Sequence, residues 1–343
     1  MRTPRSRLPK DFSLEDRLAG CAQAVERSPE SWRGKWHGWT PSVDSANADA
    51  AANRRLADMA ATPTGRRAAT AAPCIRPLAE TAAAGDCPAD AMTGASDGAR
   101  SSSAPTPRAS FDRVILDLGC GKGEYTVACA KLRPDTLYIG LDVEGVCVMR
   151  GAELALAEGV PNAVFVWADD PDLATLFAPG EIDGILMNFP TPFPKKKKAH
   201  LRLTHLDRLM AYRKILAPGA SVRLRTDSLP FRDFSLTQIE LAGYDLLWNA
   251  DDVRALFPDE PLSAYEAKLT GQGAVVCGFE AVPGAMPEHV EQTAPLSLVS
   301  YLPENIEDMG YIPHGMQGCV ANMRGRRANR RAKGLSEWTP PIV

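Results

Sequence analysis

The chain has 343 residues, 45% hydrophobic and 24% charged, which suffices for one large core or two modest ones and excludes a fibre or a wholly disordered chain. Thirty-nine Lys and Arg against 42 Asp and Glu give a formal net charge of -3, so any nucleic-acid surface must be local. No apolar run of about 18 residues occurs, and the start MRTPRSRLPKDFSLEDR lacks the apolar stretch of a signal peptide, which predicts a cytoplasmic protein with no membrane span. The eight cysteines form no C-x-x-C pair, so they read as reduced thiols and no metal site is expected.

In chain order, residues 1–38 form a basic arm with a helical pattern from about Leu14 to Val25 and a Trp-rich turn around Trp32 and Trp36. Residues 39–110 read as a low-complexity insertion. From Pro41 to Ser110 there is no Phe, Tyr or Trp, and the branched aliphatics are only Val43, Leu56, Ile75 and Leu78, so this stretch cannot bury a core and suits a disordered linker. Residues 111–283 alternate short apolar runs with amphipathic segments, the pattern of a wound β/α sheet. Strands are predicted at 114–118, 138–141, 163–167, 184–188, 222–225 and 274–280. Residues 284–343 are an irregular extension whose main feature is the Arg-rich run MRGRRANRRAK from Met323 to Lys333.

Within 111–283, VILDLGCGKGEYT puts Asp117 and a glycine loop, Gly119, Gly121 and Gly123, between the first strand and a helix, the usual place for a ligand in such sheets. The G-x-G-x-G spacing, with Glu124 at the last position, departs from a dinucleotide fingerprint. LYIGLDV places Asp142 at the end of the second strand, where a carboxylate can accept two ribose hydroxyls. FVWADD offers Asp169 after the third, near an adenine amino group. An acidic, glycine-lined cleft without a phosphate-binding lysine motif suits S-adenosylmethionine, which is cationic and carries no phosphate. The segment LMNFPTPFPKKKKAHLRLTHLDRL follows the fourth strand: Pro190, Pro192 and Pro194 stiffen a loop, four lysines follow, and a helix opens near Thr204. His200 and His205 lie close by and are assigned no role.

The order LDLGCGKGEYT, LYIGLDV, FVWADD, NFPTPFPKKKKAHLRLTH, RTD and YEAKLTGQG resembles the bacterial tRNA (guanine-N7)-methyltransferases over roughly half the chain, and WRGKW resembles their basic N-terminal segment. The resemblance implies a Rossmann-like class I methyltransferase fold, a mostly parallel doubly wound α/β sheet with an antiparallel last strand. It also implies S-adenosyl-L-methionine as cofactor and the guanine at position 46 of the tRNA variable loop as methyl acceptor. Carried over residue by residue, it places Asp117, Gly119, Gly121, Asp142, Asp169 and Thr191 at the cofactor, and Lys195, Asp227, Ser263, Ala264, Tyr265 and Glu266 at the substrate. Thr191 stands where the family usually has Asp, so the catalytic position lacks a carboxylate.

Guanine N7 has an in-ring lone pair and no proton to remove, so its methylation needs alignment more than a general base. A threonine hydroxyl can still orient a group. Asp227, at the end of the fifth strand, is placed to accept from guanine N1–H and the 2-amino group. Lys196, Lys197, Lys198 and Arg202 are expected to grip tRNA phosphates beside the site, and Arg2, Arg5, Arg7, Lys10 and the C-terminal arginines to reach more distant ones. A tRNA partner and a monomer or homodimer follow from this reading. Two alternatives remain open: a methyltransferase of the same fold acting on another acceptor, and an RNA-binding protein that has lost catalysis.

Overall fold

A computed structural model describes residues 12–41, 110–169 and 171–336. Residues 42–109 of the expected insertion, and Arg2, Arg5, Arg7 and Lys10 of the arm, lie outside the described residues. Helix α1 (Leu14–Ala19) is capped by the Ser13 hydroxyl and ends at Gly20. The helical pattern expected to run on to Val25 stops there. A short 3-10 turn follows, and β-branched Val25 opens strand β1 (Val25–Glu26), which pairs with the edge of the sheet.

The Rossmann unit then unfolds as β2 (Arg113–Leu118), α2 (Glu124–Leu132), β3 (Thr136–Asp142), α3 (Gly145–Ala157), β4 (Ala163–Trp167), the single turn α4 (Leu173–Leu176) and β5 (Ile182–Asn188). After the proline loop come α5 (Leu206–Tyr212), β6 (Leu216–Thr226), α6 (Leu229–Leu241), β7 (Tyr244–Ala250), α7 (Val253–Leu256), α8 (Ala264–Thr270) and β8 (Cys277–Pro283). Among the described residues these strands form one sheet in the order β1-β4-β3-β2-β5-β6-β8-β7. Only β8 runs against the rest, pairing antiparallel with both β6 and β7. Where β8 crosses β6, a Cβ on Gly278 would come within 2.1 Å of the Leu224 carbonyl oxygen, so the pair closes only over a glycine.

Alternation along the strands divides the core between the two sheet faces. Val114, Leu116 and Leu118, with Ile139 and Leu141, join a cluster built on α5 and α6, whereas Ile115, Tyr138 and Phe165 join a second one under α2 and α3. Both faces are thus covered, as the buried run of a parallel sheet requires. The chain order reverses between β3-β2 and β5-β6, and a crevice opens there at the carboxyl ends of the strands.

The arm docks on this sheet. Trp36 is fully buried against Phe177, its indole N–H donates to the Leu176 carbonyl at 3.0 Å, and Glu181 accepts the backbone N–H groups of Gly34 and Trp36. The extension beyond β8 docks too. Leu298, Leu302, Ile306, Met316, Val320 and Met323 belong to the first cluster, and the arginine run lies on a sixteen-residue helix, α9 (Gln317–Ala332). Arg324 donates to the Ile306, Glu307 and Met309 carbonyls, and Arg327 is buried against Glu307 at 2.7 Å. Those two arginines fasten the helix to its own fold, contrary to the expectation that they reach out to phosphates. Among the described residues no helix is long and apolar enough to cross a membrane.

Candidate active site

Strand β2 delivers Asp117 and then turns through glycines. Gly119 and Gly121 have φ of 71° and 57°, conformations that other residues adopt only with strain. Gly123, the N-cap of α2, has φ of 72° and in addition leaves no room for a Cβ, which would meet the Phe165 ring at 2.6 Å. Of the three, Gly123 therefore serves helix-sheet packing, while Gly119 and Gly121 bring open backbone to the crevice.

Asp117 is 1% exposed. Its Oδ2 accepts from the Thr126 hydroxyl at 2.6 Å and its Oδ1 from the Asn188 amide at 3.4 Å. Burial pushes its carboxyl up to about 6, against the pull of those two hydrogen bonds. Asp142 accepts backbone N–H groups on both oxygens, from Gly121 at 2.9 Å and Glu144 at 2.8 Å, which ties the glycine loop to the end of β3. Burial raises its carboxyl as well, opposed by those N–H bonds.

Two adjoining cavities share Gly119 and Phe189. The first, of about 470 Å³, is lined by Asp117, Gly121, Asn188, Ser263, Ala264 and Tyr265 among others. The second, of about 570 Å³, brings together Asp142, Asp169 and Thr191 with Leu141, Leu203 and Phe193. Each has the size of a small-molecule site. The expected cofactor residues thus lie around one continuous crevice.

The proline loop is bent at its two aromatic residues. Phe189 and Phe193, both preceding prolines, have φ of 50° and 40°, unusual for bulky residues and a form of strain concentrated at functional loops. Arg202 holds that shape from inside: it is fully buried, donates to the Pro192 and Phe193 carbonyls at 2.9 and 2.8 Å, and stacks 4.2 Å above the Phe234 ring. The expected phosphate contact by Arg202 is therefore corrected, since a guanidinium spent on two loop carbonyls under an aromatic ring is out of reach of tRNA. Burial drops its own proton affinity to about 10. Lys195, Lys196, Lys197 and Lys198 stay exposed on the rim.

Glu266 is corrected too. It is fully buried and receives Arg225 at 2.8 Å and Arg254 at 2.6 Å, an internal ion cluster that locks α8 to β6 rather than a substrate contact. Its neighbours do face the crevice: Ser263 caps α8, the Ala264 N–H donates to Glu124 at 2.7 Å, and the 40%-exposed Tyr265 meets Phe189 edge-on at 5.6 Å. Asp227 lies at the end of β6, where its Oδ2 accepts from the Tyr311 hydroxyl at 2.6 Å and the His314 backbone N–H at 2.8 Å. Asn188, which lines the first cavity, and Phe189, which lines both, stood in the sequence directly before the proline loop. Tyr311 and His314 carried no local signal, because their role depends on a partner more than 80 residues away.

A family model described as "Putative methyltransferase" matches residues 112–277. A tRNA (guanine-N(7)-)-methyltransferase of Streptococcus sanguinis is 34% identical over 169 residues, 49% of this chain and 80% of that protein. Proteins of the same name from Christiangramia forsetii and Cytophaga hutchinsonii are 36% and 38% identical, over 41% and 40% of this chain and 62% and 64% of theirs. Among solved structures, the chain is similar to the 16S rRNA methyltransferase KamB, with 18% identity and a TM-score of 0.40 over 51% of this chain and 89% of that one. Sequence identity and the matched span together place this chain in the tRNA (guanine-N(7)-)-methyltransferase family.

Proposed function

We propose that the protein transfers a methyl group from S-adenosylmethionine to N7 of guanine 46 in the variable loop of tRNA. The observation that carries this reading is a buried carboxylate, Asp117, in a glycine-lined crevice whose outer loop bears four exposed lysines. The residues fit the cofactor. Among the described residues no Lys, Arg or His pairs with Asp117, and a buried carboxylate held near 6 gains most from a cationic partner, such as the amino group of the cofactor's methionine end.

Asp142 would hold the ribose: each oxygen has accepted one backbone N–H and keeps a lone pair for a hydroxyl. Asp169 and the apolar wall of Leu141, Leu203 and Phe193 would receive the adenine. When bound, S-adenosylmethionine supplies a methyl activated by its sulfonium, with transfer moving the positive charge to the base. The chain itself needs to align the acceptor and exclude water, because N7 has no proton to lose. The strained loop from Phe189 to Pro194, pinned by Arg202, provides a rigid wall, and the exposed hydroxyl of Thr191 lines it without acting as a base. Asp227 would accept from guanine N1–H and the 2-amino group, a pairing that adenine cannot make. Lys195, Lys196, Lys197 and Lys198 would hold the phosphates of the loop that presents the base.

The test is transfer of labelled methyl to unmodified tRNA, followed by nucleoside analysis. Formation of 7-methylguanosine is expected. Binding of cofactor and tRNA without transfer would support a binding protein instead, and transfer to a non-RNA acceptor would redirect the substrate.

A further inference from the structure

The C-terminal extension packs beside the crevice, against Tyr265 and the proline loop. Segment 311–316 is anchored by buried Pro313 and Met316 and continues into α9, which Arg324 and Arg327 fasten in place. From this anchored segment come both donors to Asp227, the Tyr311 hydroxyl and the His314 N–H. The segment also touches the rest of the site: the His314 ring meets Tyr265 at right angles, centroids 6.3 Å apart, and Gly315 lies against Pro192 of the proline loop. Tyr311 and His314 both lie beyond the residues that the family model matches.

Both donors fall on Oδ2. A short carboxylate at the end of a strand would otherwise sample several rotamers, and fixing it when the base arrives would cost ordering entropy. Two hydrogen bonds from an anchored segment fix it beforehand and leave Oδ1 for the substrate. We propose that Tyr311, together with the His314 N–H, is a positioning residue of the acceptor site, holding the Asp227 carboxylate so that Oδ1 is presented to the Watson–Crick edge of the guanine. This rests on the reading of Asp227 as the guanine contact. Burial and the bond to Asp227 both push the Tyr311 phenol up, so it remains a donor throughout the neutral range.

The experiment uses the full chain, unmodified tRNA and a set of three variants, Tyr311→Phe, Asp227→Asn and the double substitution. Losing one hydrogen bond to a carboxylate should lower kcat/KM for tRNA about ten-fold, mainly through KM, while cofactor affinity stays unchanged and reports an intact fold. The double variant should be no worse than Asp227→Asn alone, because Tyr311 acts through that carboxylate. Three results overturn the proposal while sparing the Asp227 reading. These are an impaired Asp227→Asn beside an unchanged Tyr311→Phe, a Tyr311→Phe that is faster than the parent because the extension competes with the base, and losses that multiply in the double variant. An unaffected Asp227→Asn would remove Asp227 from the site and the proposal with it.

Discussion

Replacing Asp117 by Asn should make the cofactor-free protein more stable and the cofactor weaker. In the folded state the carboxyl sits at about 6 rather than 3.8 because it is buried, and that difference corresponds to about 3 kcal/mol of destabilisation at neutral pH. The value of about 6 already contains the pull of the hydrogen bonds to the charged form, and Asn keeps an acceptor for the Thr126 hydroxyl, so the net gain is about 3 kcal/mol. For a fold of this size that gain raises Tm by roughly 6–12 °C. The sign with pH follows from a raised carboxyl: the penalty is fully present above 6, fades as pH falls from 6 to 3.8, and is absent below. The stability gap between variant and parent should therefore close over that window. Cofactor affinity should move oppositely, falling about 10- to 100-fold in the variant with the loss of a charge-assisted contact, and falling in the parent as pH drops below about 6. Thermal melts of both proteins across pH, with and without S-adenosylmethionine, measure all of this. A variant less stable than the parent at neutral pH, or one that binds the cofactor equally well, would refute the assignment of Asp117 as a buried charge awaiting a cation.

Trp36→Ala should cost about 4 kcal/mol in denaturant unfolding, the cost of emptying a fully buried indole site, and a loss under 1 kcal/mol would show the arm to be a loose appendage. Replacing Lys195, Lys196, Lys197 and Lys198 together by Gln should reduce the slope of log affinity for tRNA against log salt by about 2 to 3, as lost phosphate contacts do, and an unchanged slope would make the lysines bystanders. Arg202→Met should leave salt dependence unchanged while lowering the transfer rate about ten-fold, because it frees the Pro192 and Phe193 carbonyls without removing a phosphate contact; a flattened salt slope would return Arg202 to the tRNA surface.

The strands that flank the crevice were legible because buried parallel strands appear as apolar runs, and β2, β3 and β4 lead into an acid or a glycine that lines the crevice. Strand β7 was not, since YDLLWNA lies on the sheet edge with most of its residues exposed and has no clean apolar face. Strand β6 begins six residues before its apolar run, through Pro218 and Gly219, which read as a turn. The extension looked irregular because prolines and glycines recur from 284 to 315 and the stretch that follows, 323–333, is dominated by arginine. Yet Met316, Val320, Met323 and Arg327 recur at helical spacing and all face inward, and the fourth is an arginine paired with Glu307. In the crevice, the glycine loop and its acids were legible because their pattern is local. Arg202, Glu266 and the second half of the Asp227 site were not, because burial and partnership across tens of residues decide what a charged side chain does.

The most direct test is methylation of a tRNA transcript carrying either guanine or 7-deazaguanine at position 46, the latter having a C–H in place of N7. The expected result is 7-methylguanosine in the first and no transfer to the second, with binding of the two transcripts comparable. Transfer to the deaza transcript, or modification of the first at any atom other than N7, would contradict the proposed reaction.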